Sequence, residues 1–349
     1  MNSNPLWKIL RGILRFVGAT LIVVAILWAA GALLYDLPGP SWLGMVVSLL
    51  WLVGALVVWF VVRARLLARG AVALGFVCIL GWWLTVQPSA NRDWKPEVAV
   101  LAHAEIDGDK LTIHDVRNFD HHAKDSFTPH YETRTYDLAK VKGVDIFLAK
   151  WGSGLMGHPV VSFDFGEDVR LAFTIEIRPE KGESFDPLGA IYRKFELIYI
   201  PADERDVIRS RTAFRAGEKV YLYHMRTTPE NARILLVQYI TRLNELHEQP
   251  EWYNIATANC TTSIRAQNPS ERRIPWDWRI LLNGNVDEML YEHGALSSDD
   301  LSFSALREAA WIRDTVPGAG PDADFSRRIR EGRPGFSESH APASPPPRP

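Results

Sequence analysis

Cysteine is nearly absent from this 349-residue chain: Cys78 lies in an apolar stretch near the N-terminus, and Cys260 is the only other one. Two cysteines so placed exclude a disulfide framework, and they leave Cys260 without a partner in its own region. An exported domain with an unpaired thiol holds it either as a small packed apolar group or as a reactive one. Charge is missing from three runs, Phe16–Tyr35, Trp42–Val62 and Gly70–Val86, of 20, 21 and 17 residues. Each is long enough to cross a hydrocarbon core of ~30 Å as a helix, the third only just. A cleaved signal peptide fits poorly, because the first run is too long and two more follow it. The connecting segment Asp36–Ser41 has no Lys or Arg, whereas Lys8, Arg11 and Arg15 precede the first run and Arg63, Arg65 and Arg69 separate the second from the third. The positive-inside rule then predicts a multi-pass protein of the bacterial cytoplasmic (inner) membrane, with a cytoplasmic N-terminus and everything after Val86 in the periplasm. Trp42, Trp59, Trp82 and Trp83 fall near the ends of the runs, as interfacial anchors do.

The sequence predicts four regions: a membrane domain over 1–87 with three transmembrane helices, a linker over 88–100, an extracytoplasmic domain over 101–316 and a disordered tail over 317–349. The tail is rich in Pro, Gly, Ser and Arg and has no apolar periodicity. Beyond residue 87 the chain carries 33 basic and 40 acidic residues, a net charge of −7. That balance argues against nucleic acid and suggests a substrate held in or near lipid.

The extracytoplasmic region reads as α+β, an antiparallel sheet with helices packed mainly to one side. Its clearest signal is a hairpin: His158–Phe165 and Val169–Ile177 flank the three-residue loop Gly166-Glu167-Asp168. Centring the turn on Glu167 makes paired positions sum to 334, which sets His158 opposite Glu176 and puts His158, Val160, Ser162 and Asp164 on one face with Glu176, Thr174, Ala172 and Arg170. A carboxylate opposite an imidazole fixes its tautomer and favours its protonated form. Thr228-Pro229 begins a helix that runs with 3.6-residue periodicity up to Pro250, and a further helix is expected over about 277–292. Asn259 is a good N-cap for a short helix over Thr261–Gln267, which brings Cys260 to the positive end of the helix dipole, where thiol pKa values fall and backbone N–H groups stabilise an oxyanion.

Blander readings stand beside these. Cys260 is equally a packed small residue, His158 a surface histidine at a strand end, and Glu176 a partner for Arg170 or Arg178. His114, Asp115, Asp120, His121, His122, Asp125 and His130 are metal-ligand types, but their spacing fits no zinc pattern, so neither a metal nor a cofactor is expected. Asp203-Glu204-Arg205-Asp206 with Arg209 and Arg211 reads as a surface ion-pair network.

The succession Asn118-Phe119, Tyr131-Glu132-Thr133-Arg134-Thr135-Tyr136-Asp137-Leu138, His158 with Ser162-Phe163, Glu176-Ile177-Arg178, Asp203-Glu204-Arg205-Asp206, Tyr253-Asn254 and Asn259-Cys260-Thr261-Thr262 resembles the Lnb N-terminal periplasmic domain family over about residues 100–295. Lnb is the lyso-form lipoprotein N-acyltransferase. The resemblance implies a Cys–His pair in a papain-like or permuted NlpC/P60-like arrangement, with Cys260 as nucleophile and His158 as base. Glu176 as orienter rests on the hairpin register as well. Asn259, Tyr253 and Asn254 are the substrate or oxyanion candidates. The expected activity is a membrane-anchored acyl transfer through a thioester, with a membrane lipid or lipoprotein as substrate. A cell-wall amidase or peptidase with the same dyad, and a non-catalytic envelope-binding module with a buried Cys260, are the alternatives. Donor, acceptor and oligomeric state are not given by these patterns.

Overall fold

The computed structural model describes residues 5–89, 91–313 and 324–336. The chain forms two compact units: Met1–Ser89 with Phe185–Phe195 and Trp252–Asn254, and the remainder.

In the first unit, α1 (Pro5–Asp36), α2 (Ser41–Val61) and α3 (Arg65–Thr85) are the three apolar runs, each long and apolar enough to cross a membrane. They turn apolar side chains such as Phe16, Leu50, Phe60 and Leu74 outward, which water would penalise and lipid does not. Small residues allow close approach between them. A side chain at Gly44 would press on the Leu34 carbonyl, and Ser48 donates to the Ala30 carbonyl at 2.8 Å. At the end of α1 the Asp36 carboxylate accepts from the Trp83 indole at 2.6 Å and from the Arg193 backbone N–H at 3.0 Å, and the Arg193 guanidinium lies over the Trp83 ring.

The second unit is a sheet with helices, α+β as expected, but its helices cover both faces rather than mainly one: Val207, Ile208 and Phe325 pack with Val160, and Tyr239 packs with Phe163 on the other side. Its strands are β1 (His103–Asp107), β2 (Lys110–Arg117), β3 (Asp120–Ala123), β4 (Ser126–Thr128), β5 (Tyr131–Asp137), β6 (Gly143–Trp151), β7 (Met156–Asp164), β8 (Arg170–Arg178), β9 (Glu196–Ala202), β10 (Lys219–His224) and β11 (Trp311–Ile312). Its helices are α4 (Glu204–Phe214), α5 (Pro229–Glu248), α6 (Cys260–Gln267), α7 (Val286–Glu292), α8 (Phe303–Ala310) and α9 (Phe325–Arg328). The large sheet runs β1-β2-β9-β8-β7-β6-β10-β11, with β5 also on β2. Its pairs are antiparallel except β2 with β9, joined by the parallel bridge Arg117–Ala202.

β7 is central, and its pleat sorts the core. Val160 joins Ala172, Phe147, Val207 and Ile208 on one face. On the other, Phe163 packs edge-on against Phe173 and Tyr239 of α5. The β7–β8 hairpin has the expected register, with Val160 opposite Thr174, Ser162 opposite Ala172 and Asp164 opposite Arg170. Gly166, Glu167 and Asp168 all have positive φ, a left-handed run closed by the Phe165 N–H on the Val169 carbonyl. α5 starts as its sequence predicts, with Thr228 accepting from the Asn231 N–H and Pro229 in the first turn.

Three expectations need correction. The helix expected over 277–292 is confined to α7, because Asn283-Gly284-Asn285 forms a tight turn of its own, with the Gly284 N–H bonded to the Leu155 carbonyl. The Asp203–Arg211 network is not on the surface: Glu204, Asp206 and Arg211 are buried in α4, and Asp206 is held by Arg117 and His121. Nor does disorder hold for 324–336. Phe325 and Ile329 enter the core, and buried Arg330 reaches Asp145 at 2.7 Å and Glu204 at 2.5 Å. Two apolar side chains and one arginine fasten this segment, too few to leave a periodic pattern. Residues 317–323 and 337–349 lie outside those described.

Candidate active site

β7 and β8 supply the base side of the site. Their ladder ends at the Val160–Thr174 pair, one residue position short of His158 on that face. His158 Nε2 lies 2.7 Å from Thr174 Oγ1 and 3.0 Å from Glu176 Oε1, and Thr174 donates to the same carboxylate oxygen at 2.8 Å. Arg211 of α4 comes to 3.5 Å from Glu176 and is itself tied to Glu218 at 3.1 Å. Burial is the largest single influence and opposes charge on the imidazole, but the Glu176 carboxylate, by its charge and its hydrogen bond, and the nearby Cys260 thiol favour the charged form. Together they push His158 up to about 9 against the opposing charge of Arg211. Glu176 is drawn far below the ordinary carboxylate range: burial raises it, while His158, then Arg211 and the Thr174 hydroxyl, lower it more.

α6 supplies the thiol. Asn259 caps it in a reciprocal box: its Oδ1 accepts from the Thr262 N–H at 2.8 Å while the Thr262 hydroxyl accepts from the Asn259 N–H at 2.8 Å. Cys260 is therefore the first residue of the helix, where backbone N–H groups have no intrahelical acceptor. Cys260 is 6% and His158 7% exposed, so the pair is screened from bulk water.

Asn283 completes the constellation, and sequence reasoning missed it. Its Nδ2 donates to the Cys260 sulfur at 3.2 Å and to the Thr261 hydroxyl at 3.0 Å, and its Oδ1 accepts from the Gly157 N–H at 2.8 Å. A side chain on Gly284 would collide with the Gly154 carbonyl, so the turn that aims Asn283 depends on glycine. The available signal was the Asn-Gly dipeptide, a turn marker inside an apparently helical stretch.

Of the other candidates only Asn259 lies at the site. Asn259 is next to the thiol; it caps α6, and its amide Nδ2 donates to the Ile255 carbonyl at 2.7 Å. Tyr253 and Asn254 fall in the membrane unit, bonded to the Phe195 and Ile191 carbonyls. The histidine-rich segment is dispersed: His121 pairs with Asp206, His122 with the Thr128 hydroxyl and His130 with Glu132. Among the described residues no group of three metal-ligand side chains is assembled.

A cavity of about 250 Å³ adjoins the site, with Thr261 and Pro159, the residues after Cys260 and His158, in its wall. Val144, Ile146, Val161, Leu235, Ile264 and Leu290 make most of its lining apolar.

Residues 127–284 match the family described as the Lnb N-terminal periplasmic domain. That stretch contains Cys260, His158, Glu176 and Asn283, whereas Asn118 and Phe119 of the wider resemblance lie outside it. No curated protein and no solved structure matches the chain. The three apolar helices and the Lnb domain together describe a membrane protein with a periplasmic domain.

Proposed function

We propose that this protein is a membrane-anchored, cysteine-dependent acyltransferase of the inner membrane, with a cytoplasmic N-terminus and a catalytic domain of the papain-like or permuted NlpC/P60-like kind. The carrying observation is the thiol at the start of α6, close enough to His158 to help raise its imidazole, which Glu176 orients, with an apolar cavity adjoining the pair. A packed structural cysteine would sit among apolar groups. Cys260 instead meets an imidazole, an amide and a hydroxyl.

In the reactive pair the Cys260 proton rests on His158 as imidazolium, and the thiolate attacks the ester carbonyl of a lipid or lipoprotein acyl chain. Negative charge grows on the carbonyl oxygen, and the nearest fixed donors are the Asn283 amide and the first-turn N–H groups of α6. The His158 imidazolium protonates the departing alcohol, leaving a thioester on Cys260. A membrane-bound amine, such as a lipoprotein N-terminus, then attacks the thioester and gives up its proton to His158, releasing the amide and the thiol. Anchoring both protein and substrate in one membrane raises their effective concentration.

The apolar lining favours an acyl chain over a cell-wall peptide, which would need polar partners for its backbone. The test uses the full-length protein in detergent micelles with a phospholipid and a lipoprotein bearing alkyne-tagged chains. Hydroxylamine-sensitive label on the wild-type protein, absent from Cys260→Ala and reduced at least ~100-fold in His158→Ala, is the expected result. Label that persists in Cys260→Ala, or acyl transfer that survives both substitutions, overturns the reading.

A further inference from the structure

The cavity beside Cys260 has an uneven charge distribution. Among its lining residues are Arg226, Arg265, Arg272 and Arg273, and no Asp, Glu or Lys. This occurs in a region that carries net negative charge overall. None of the four forms an ion pair among the described residues. Arg265 is braced instead by the Ile274 carbonyl at 2.9 Å, and Arg273 by the Asn268 and Ala266 carbonyls at 2.7 and 2.8 Å. Bracing on carbonyls orients a guanidinium but leaves its charge uncompensated. The chain then runs through Trp276 and Trp278, which are 59% and 56% exposed. Exposed indoles next to arginines are what a headgroup layer accommodates and what bulk water does not favour.

We propose that this cavity is a binding site for one acyl chain of an anionic phospholipid, with the lipid phosphate held by Arg226, Arg265, Arg272 and Arg273. At about 250 Å³ the cavity falls below the ~300–1,000 Å³ of sites that enclose a whole small ligand, so it admits part of a chain and leaves the headgroup at the rim. Apolar walls accept the methylenes, and planar guanidinium groups match phosphate oxygens. A chain entering past Thr261 and Pro159 brings its ester toward the thiol. That the bound lipid is the acyl donor rests on the acyl-transfer reading; that the site binds it does not.

The test uses a phosphatidylglycerol with a photoactivatable group at the chain terminus, incorporated with the full-length protein into phosphatidylcholine nanodiscs, in both wild-type and Cys260→Ala backgrounds. Peptides carrying Ile264 or Leu290 are expected to be labelled in both. The double substitution Arg272→Gln/Arg273→Gln, at exposed positions, is expected to reduce that label about tenfold while label on α1–α3 stays constant as an internal control. A matching phosphatidylcholine probe should label the cavity as weakly as the double variant. The proposal is overturned if the cavity peptides carry no label, if the arginine substitutions leave the label unchanged, or if both lipids label equally. Retained cavity label in a wild-type protein that forms no thioester would refute acyl transfer and leave the lipid site standing.

Discussion

Two buried ionic clusters share one face of β7, and they differ in what stands at their end. Toward the hairpin turn, Ser162 donates to Glu204, and Arg330 joins Glu204 to Asp145, which also pairs with His224 at 2.7 Å. Asp145 and Glu204 are each 1% exposed, so every charge depends on its partners. Burial alone would raise the Asp145 carboxyl, but Arg330 and His224 hold it below its ordinary range. At the strand's other end, His158, Thr174, Glu176 and Arg211 form a similar chain that terminates on the Cys260 thiol. The first cluster closes on itself and fastens the C-terminal segment. On the proposed reading, the second keeps a proton that can move to and from a nucleophile. Burying ions costs free energy in both cases, and only the second gains a chemical group by it.

The largest effect on this comparison should come from Arg330→Met. It leaves two carboxylates buried without their cation and is expected to cost about 3–5 kcal/mol of unfolding free energy, measured by urea denaturation of the full-length protein in detergent. The double change Arg330→Met/Glu204→Gln should recover part of that loss, because one orphaned charge is removed. A loss under ~1 kcal/mol would mean that the segment is held by Phe325 and Ile329 alone.

Asn283→Ala comes next, at the thiol end. Losing a donor aimed at a developing oxyanion typically lowers turnover about 10²-fold. The readout is the rate of thioester formation, with the denaturation midpoint followed in parallel because Asn283 also holds the Gly157 N–H. A stability loss with unchanged thioester formation would reduce Asn283 to a fastener of the turn.

The sequence showed the parts governed by local rules. Charge-free length and flanking arginines identified the three long helices, Thr228-Pro229 marked the start of α5, and the left-handed Gly166–Asp168 loop fixed the register that puts His158 and Glu176 on one face. What it hid depends on distant contacts. Arg211 reaches Glu176 only because α4 lies across the sheet, and Arg330 reaches Asp145 across 185 positions of chain. Asn283 was masked by neighbours with helical spacing. A spacing rule registers none of these, because their partners are chosen by packing.

The finest test separates the titrating cluster from the closed one by pH. Glu176 favours the protonated His158, so Glu176→Gln should lower that imidazole from about 9 toward its ordinary 6.5. In the proposed reaction, departure of the alcohol needs the imidazolium, which places the expected alkaline limb near pH 9. In the variant the limb should move down by a unit or more, with a rate loss of about tenfold at neutral pH. Folding stability carries the same signature. A raised histidine stabilises the fold fully below 6.5 and loses that contribution as pH rises through about 9. Glu176, held below its ordinary 4.5, contributes above that value and loses the contribution as pH falls further. The wild-type advantage over Glu176→Gln should therefore be greatest between about pH 4.5 and 6.5 and should decline toward pH 9, as read from paired denaturation midpoints. A difference that stays constant from pH 6 to 10 would show that Glu176 is, like Glu204, only a structural partner.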